Sequence, residues 1–283
     1  MKKVLTLALS LFIGVGALAQ DLPQRSPAAT TQQRVGLTDV KVEYSRPAVR
    51  GREIFGELVP FGKLWRTGAN KATSISFSTD VIIGDNSIEK GTYSIFTIPN
   101  EGEWVVILNS ETELWGIDGY DEANDVARIT VETQKTDAKE NFSITVENIT
   151  DNSADIVFAW AHTSASLPIR VKTSEQAMAN ITKALEENPQ DWRVYRNAAN
   201  YYLTNKIDLP QAQKYMEKSL ELNEENWYSH FLYATILAEN GEKDDAKDEA
   251  EEALEMGLEE AEKEESEFNY AGMIQAFIEG LED

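Results

Sequence analysis

Hydrophobic side chains along this chain keep two different rhythms, and the change between them falls near residue 173. From Arg34 to about Lys172 the dominant repeat is two. Val40, Val42 and Tyr44 alternate with polar residues, as do Ile75 and Phe77, then Tyr93, Ile95 and Thr97. Residues Trp104 to Leu108 form a continuous apolar run, as a strand covered on both faces requires. Ile129 and Val131, then Phe142, Ile144 and Val146, then Ile156, Phe158 and Trp160 continue the alternation. Turn-forming residues at Gly84-Asp85-Asn86, Lys90-Gly91, Pro99 to Gly102 and Asp151-Asn152-Ser153 separate these segments. About eight short strands with no long helix between them predict an antiparallel β-sandwich or barrel over residues 34–172.

Beyond that point the spacing becomes helical. Thr173-Ser174-Glu175-Gln176 reads as a helix start, and Asn188-Pro189 as a helix stop. Ala177, Ile181, Ala184 and Leu185 recur 35 residues later as Ala212, Met216, Ser219 and Leu220, and 34 further on as Ala246, Ala250, Ala253 and Leu254. Trp192 and Trp227 open the intervening helices. Small residues at these positions let two helices approach closely, so residues 173–283 read as helical hairpin repeats, two of them full at about 190–258 with a leading and a trailing helix. The period and small/large alternation resemble the tetratricopeptide repeat family. Tyr195, Tyr202 and Phe231 lie between the hairpins and are the candidate contacts for a protein or peptide partner. The chain is thus expected to be α+β, with an all-β domain followed by an α-helical one.

The first residues add an expectation about location. Lys2 and Lys3 precede an uncharged apolar run, and Ala17-Leu18-Ala19 supplies a small-x-small cleavage signal. Residues 1–19 therefore read as a signal peptide, which places the protein in the periplasm or outside the cell. Residues 20–33, polar and carrying Pro23 and Pro27, read as a flexible lead-in. No later stretch is apolar over a membrane-spanning length, so no transmembrane segment is expected after cleavage.

Charge narrows the partners. The net charge is −23, and residues 174–283 hold 27 acidic and nine basic side chains. Phosphate-backbone recognition needs clustered cations, so a nucleic-acid partner is not expected. There is no Cys, which removes thiolate chemistry, and His162 and His230 fall in different halves, which leaves no paired-His metal site. No phosphate-binding Gly-Lys-Ser/Thr loop, G-x-S-x-G elbow or dinucleotide fingerprint occurs, and no cofactor is called for.

One stretch departs from the acidic background. Between positions 46 and 71 lie Arg46, Arg50, Arg52, Lys63, Arg66 and Lys71, opposed only by Glu53 and Glu57 and punctuated by Gly51, Gly56, Gly62 and Gly68. Guanidinium forks recognise carboxylate and phosphate planes. Arg46, Arg52, Trp65, Arg66, Asn70 and Thr73 are therefore the candidate residues for an anionic or sugar-like ligand. The competing reading pairs these Arg residues with the domain's own carboxylates and uses Trp65 as packing. The segments Gly51 to Gly56, Trp65 to Thr73 and Gly91 to Pro99 resemble a family of exported bacterial proteins known as domain of unknown function 2911, over residues of about 25–172. That resemblance implies export and a domain defined by residues 44–73. It implies no activity.

A second candidate is the acidic loop Ile117 to Asp125, whose carboxylates and Gly suit a calcium site in composition but not in spacing. Taken together, the expected function is an exported, non-enzymatic binding protein of the bacterial envelope. The alternative is an envelope hydrolase that holds an anionic substrate with the Arg-rich loop and uses a carboxylate as base. A third reading has the repeats as a brace for the β domain.

Overall fold

The computed structural model describes residues 22–282. The predicted signal sequence lies outside them. The chain divides into two compact units at Thr173/Ser174, where the hydrophobic rhythm changes.

The first unit is antiparallel β. Its nine strands are β1 (Ala28–Val35), β2 (Thr38–Ser45), β3 (Thr73–Phe77), β4 (Val81–Ile83), β5 (Asn86–Ile88), β6 (Gly91–Pro99), β7 (Glu103–Asn109), β8 (Asp125–Glu147) and β9 (Ser153–Val171). They hydrogen-bond in the order β1-β2-β3-β6-β7-β8-β9-β4-β5. The two edge strands β1 and β5 do not pair, so the sheet is not closed into a barrel. It turns over on itself instead. The register of β8 against β9 slips between Lys135 and Lys139 and again between Lys139 and Ser143, and such bulges bend and twist a strand. The far half of the hairpin thereby faces β2, where the Tyr44 hydroxyl accepts from the Ile144 amide at 3.1 Å. Val40, Val42, Ile75, Ile95, Trp104, Phe142, Ile144, Ile156 and Phe158 form one buried core between the layers.

Two features were not predicted. Ile129–Val131 and Phe142–Val146, read as separate strands, are parts of the single long β8. The polar stretch between them carries no apolar alternation because it runs exposed past the bulges. Likewise β1 begins at Ala28, inside the span read as a lead-in. Its residues AATTQQRV are exposed or half-buried until Val35, since an edge strand meets the core weakly.

Strands β6 and β7 are covered on both faces. One face joins the main core. The other packs Phe96 and Ile107 against Ala72, Leu64, Leu114 and Tyr120 from the loops. This second cover accounts for the unbroken apolar run of β7.

The second unit contains α1 (Thr173–Glu187), α2 (Trp192–Thr204), α3 (Leu209–Leu222), α4 (Trp227–Asn240), α5 (Lys243–Lys263) and α6 (Ala271–Glu282). Successive helices from α2 onward pack on one another. Asp191, Asp208 and Asn226 cap α2, α3 and α4 by accepting from the amides of Arg193, Gln211 and Ser229. The recurring small residues are interior: Ala212 and Ser219 in α3, and Ala246, Ala250 and Ala253 in α5, are fully buried. Ser219 also donates to the Trp192 carbonyl at 2.9 Å, a close approach that a larger side chain would prevent.

His230, half-buried on α4, faces two acceptors: Nδ1 lies 2.7 Å from Glu249 Oε2 and Nε2 lies 2.8 Å from the Glu224 carbonyl. Both nitrogens can donate only in the imidazolium form. Burial opposes that charge, but the bonds to Glu249 and Glu224 and the nearby charges of Glu249 and Glu252 outweigh it and raise the pKa above its usual value. The contribution to stability is therefore complete below the unfolded value of about 6.5 and is lost as pH rises through the folded one. His230→Gln is expected to cost more stability at about pH 5.5 than at about pH 8.5, measured by urea unfolding followed at 222 nm. An equal cost at both would refute the assignment.

Gly257 makes a second prediction. A Cβ there would collide with the Phe268 ring, which is itself wedged edge-on against Trp227 at 4.9 Å. Gly→Ala inside a helix ordinarily gains up to about 1 kcal/mol. Here Gly257→Ala is expected to lose about 1–3 kcal/mol by overpacking, visible as a lower urea midpoint.

Candidate functional site

The connection from β2 to β3 is long and contains no strand. It is held by scattered backbone bonds: Val49 N to Glu140 O at 2.7 Å, Trp65 N to Thr97 O at 2.7 Å with the reverse bond at 2.8 Å, and Ala72 N to Leu114 O at 3.0 Å. Its main anchor is the Trp65 side chain, only 7% exposed. The indole stacks on Trp160 with centroids 5.8 Å apart and planes at 19°. It meets Phe142 at 5.2 Å and Trp104 at 6.0 Å edge-on. Its Nε1 donates to the Gly68 carbonyl at 3.0 Å, which satisfies the one polar atom buried with the ring.

Just after this anchor the backbone turns sharply. Thr67 has φ 54° and Asn70 has φ 61°, the left-handed region that side chains avoid, a β-branched one most of all. Each such residue costs on the order of 1–3 kcal/mol unless the surroundings enforce it. Thr67, fully buried, is enforced twice: its hydroxyl donates to Thr97 Oγ1 at 3.2 Å, and its carbonyl accepts from the Thr73 hydroxyl at 2.6 Å. Gly68 lies between them at φ 151°, where a Cβ would come within 3.0 Å of the Ser45 carbonyl oxygen.

This turn forms one wall of a cleft of about 530 Å³. Trp65 and Trp160 lie at its base, Pro47, Leu58 and Val59 supply apolar surface, and Arg25, Arg50, Arg52 and Arg66 line it. Among the described residues, no carboxylate does. Among the described residues, too, none of these four guanidinium groups is in an ion pair, nor are those of Arg46, Arg170 and Arg196, whereas Arg34 and Arg193 have one each and Arg128 has two. Arg50 Nη2 donates to the Arg25 carbonyl at 3.0 Å, and Arg52 donates through Nε and Nη2 to the carbonyls of Val49 and Ala48 at 3.0 and 2.6 Å. Neutral acceptors orient these groups and leave their charge uncancelled. Arg66 Nε is buried without any hydrogen-bond partner, and burial pulls the Arg66 pKa below its usual value.

Of the predicted ligand residues, Arg52, Trp65 and Arg66 meet in this cleft. Of the other three, Arg46 and Asn70 belong to the loop that shapes it and Thr73 opens β3. Arg46 Nε donates to the Phe142 carbonyl at 2.9 Å. Asn70 Nδ2 reaches the Ser26 carbonyl at 3.3 Å and Ser45 Oγ at 3.2 Å. Thr73 is fully buried. Two of the cleft's four arginines were not chosen from the sequence. Arg50 stands in the cationic stretch with nothing local to single it out, and Arg25 comes from the span read as a lead-in.

In the helical unit Tyr195 is half-buried, with its hydroxyl donating to the Pro189 carbonyl at 3.2 Å, and Phe231 packs edge-on against Phe277 at 5.4 Å. Tyr202 is corrected from a partner contact to an interior residue: it is 6% exposed, set against Tyr215 at 5.4 Å and in one cluster with Ala199, Ala212 and Met216. In the acidic loop the carboxylates engage groups of the same segment. Asp125 accepts from the Tyr120 hydroxyl and from Arg128, Glu122 pairs with Arg128, and Asp121 caps the short helical turn at Glu122–Asn124. No group of three or more acidic or histidine side chains is placed to hold a metal among the described residues.

With this geometry in hand, comparison with known proteins adds one match. A family model described as a protein of unknown function (DUF2911) matches residues 26–169. No curated protein matches the chain.

An unsatisfied cation at the cleft should weaken the unliganded fold. Arg66→Met, which keeps the aliphatic stem, is expected to raise the stability of the ligand-free protein by up to about 1 kcal/mol, allowing for the part of the side chain still in water. A lower unfolding temperature for this variant would show that Arg66 is a structural residue. Gly68→Ala is expected to lower stability by about 1–2 kcal/mol, read from the same melts.

Proposed function

The chain belongs to the DUF2911 family of proteins of unknown function, and from that premise we propose that its β unit is a binding domain that takes an anionic ligand in the Arg-lined cleft. One observation carries the reading. In a chain of net charge −23, four guanidinium groups gather round a single cleft with, among the described residues, no carboxylate in its lining and no ion pair of their own. Like charges gathered round one cleft repel, and the burial of Arg66 Nε adds a desolvation cost at that residue. Such an arrangement is characteristic of a site that a ligand completes. A neutral sugar would leave the charge uncancelled, so the anion is favoured over a plain glycan.

The hydrolase alternative needs a buried carboxylate beside these Arg residues. The nearest approach to one is a neighbouring cleft of about 490 Å³, lined in part by Arg52, Glu53, Glu140 and His162. Glu53 and Glu140 are both exposed there, and Glu140 Oε1 already accepts from the Arg50 amide at 2.9 Å. These observations favour binding over catalysis.

For the helical unit the reading is a tetratricopeptide-type array that takes a protein or peptide partner. Its support is the recurrence of small buried residues on α1, α3 and α5 and of Trp192 and Trp227 at the starts of α2 and α4. Export to the periplasm or the medium rests on the pattern of residues 1–19. N-terminal sequencing of the mature protein should begin near Gln20.

The ligand reading is tested by thermal unfolding of the full chain with sodium phosphate, sulfate, citrate or glucose. At a hundredfold excess over Kd a bound anion should raise the β unit's midpoint by about 5–10 °C. The double variant Arg52→Gln/Arg66→Gln should lose that rise, and glucose should produce none. Equal shifts in the wild type and the double variant would rule the cleft out.

A further inference from the structure

Resting on that reading, the geometry points to a specific ligand class: we infer that the cleft is built for a phosphate monoester, a tetrahedral dianion, in preference to a carboxylate. The argument turns on which edges of the guanidinium groups remain unused. A guanidinium offers five N–H donors in a fixed fork. Arg52 spends its Nε–Nη2 edge on the carbonyls of Val49 and Ala48, so it can present only its outer donors, end-on. Arg50 has one donor committed to the Arg25 carbonyl. Arg66 has none committed, and its Nε is already out of water. Arg25, also in the lining, has no donor committed either, so the cleft offers free donors from Arg25 and Arg66 together with the end-on edge of Arg52 and the unused donors of Arg50, more than a single planar anion engages.

A carboxylate has two oxygens in one plane. One guanidinium fork, such as that of Arg66, would engage both, and the remaining cations would add little. A phosphate monoester has three terminal oxygens pointing in different directions and carries about two negative charges above its second ionisation near pH 6. It can take the Arg66 fork on one edge and still present an oxygen to Arg50 or Arg52. Its second charge also offsets more of the uncompensated cationic field. The apolar side of the cleft, formed by Pro47, Leu58 and Val59, would receive the organic part of the ester.

The test holds the organic part constant. Phenyl phosphate, phenyl sulfate and benzoate are titrated calorimetrically into the full chain at about pH 8. Phenyl phosphate is expected to bind at least about tenfold tighter than benzoate, as one additional charge-assisted hydrogen bond provides, with phenyl sulfate between them. Lowering the pH to about 5 should weaken phenyl phosphate by about tenfold as the monoanion replaces the dianion, and leave benzoate nearly unchanged. Arg66→Lys keeps the charge but loses the fork, and should weaken phenyl phosphate and benzoate alike. Arg52→Gln, on the exposed rim, should weaken phenyl phosphate while sparing benzoate, and serves if Arg66→Lys does not fold. Benzoate binding as tightly as phenyl phosphate, or phenyl sulfate matching it, would overturn the inference and leave the anion site standing. Failure of all three probes to bind would overturn both.

Discussion

The burial of one indole ring organises the β unit. Trp65 belongs to a loop with no strand of its own, yet it sits inside the sandwich against Trp160, Trp104 and Phe142. An aromatic ring of this size removes on the order of 200 Å² from water, which is enough to hold a connection that sheet hydrogen bonding does not. With the ring fixed, the following turn has little freedom. Its indole N–H needs the Gly68 carbonyl, and the left-handed Thr67 and Asn70 follow from that closure.

The same closure places Arg66 where it is poorly solvated. Arg66 is next to the anchor in sequence and cannot move far from it. Its side chain emerges beside the cleft while its Nε remains buried. The rim residues Arg50 and Arg52 are held by backbone carbonyls, which fix direction without cancelling charge. Local geometry and local electrostatics thus have one origin. The loop that the aromatic cluster pins is also the loop that concentrates cations in an acidic chain.

Much of this could be read from residue order, because its signals are local. Alternation at Val40, Val42 and Tyr44 marks a half-buried strand wherever that strand lies, and the recurrence of Ala212 at Ala246 marks a close helix contact. The cationic stretch was equally visible. What escaped the reading was non-local. Strand β1 is polar because it forms a sheet edge, and only its pairing with β2 makes it a strand. Arg46 and Arg52 look alike in sequence, yet one is turned to the Phe142 carbonyl and the other to the cleft. Tyr202 and Tyr195 both look like surface aromatics of a repeat, but the packing of α2 on α3 buries the first and only half-covers the second.

Residue order by itself determined the two kinds of architecture, their boundary near position 173 and the segment in which charge and aromatic residues collect. These depend on the period of burial and on composition, both of which are written along the chain. Tertiary structure alone decided which Arg residues share a cleft, that Arg25 from the leading segment joins them, and that no carboxylate among the described residues does. The reason is physical: whether a guanidinium is paired, merely oriented or left bare depends on what other strands bring within about 3 Å of it, and no local spacing records that.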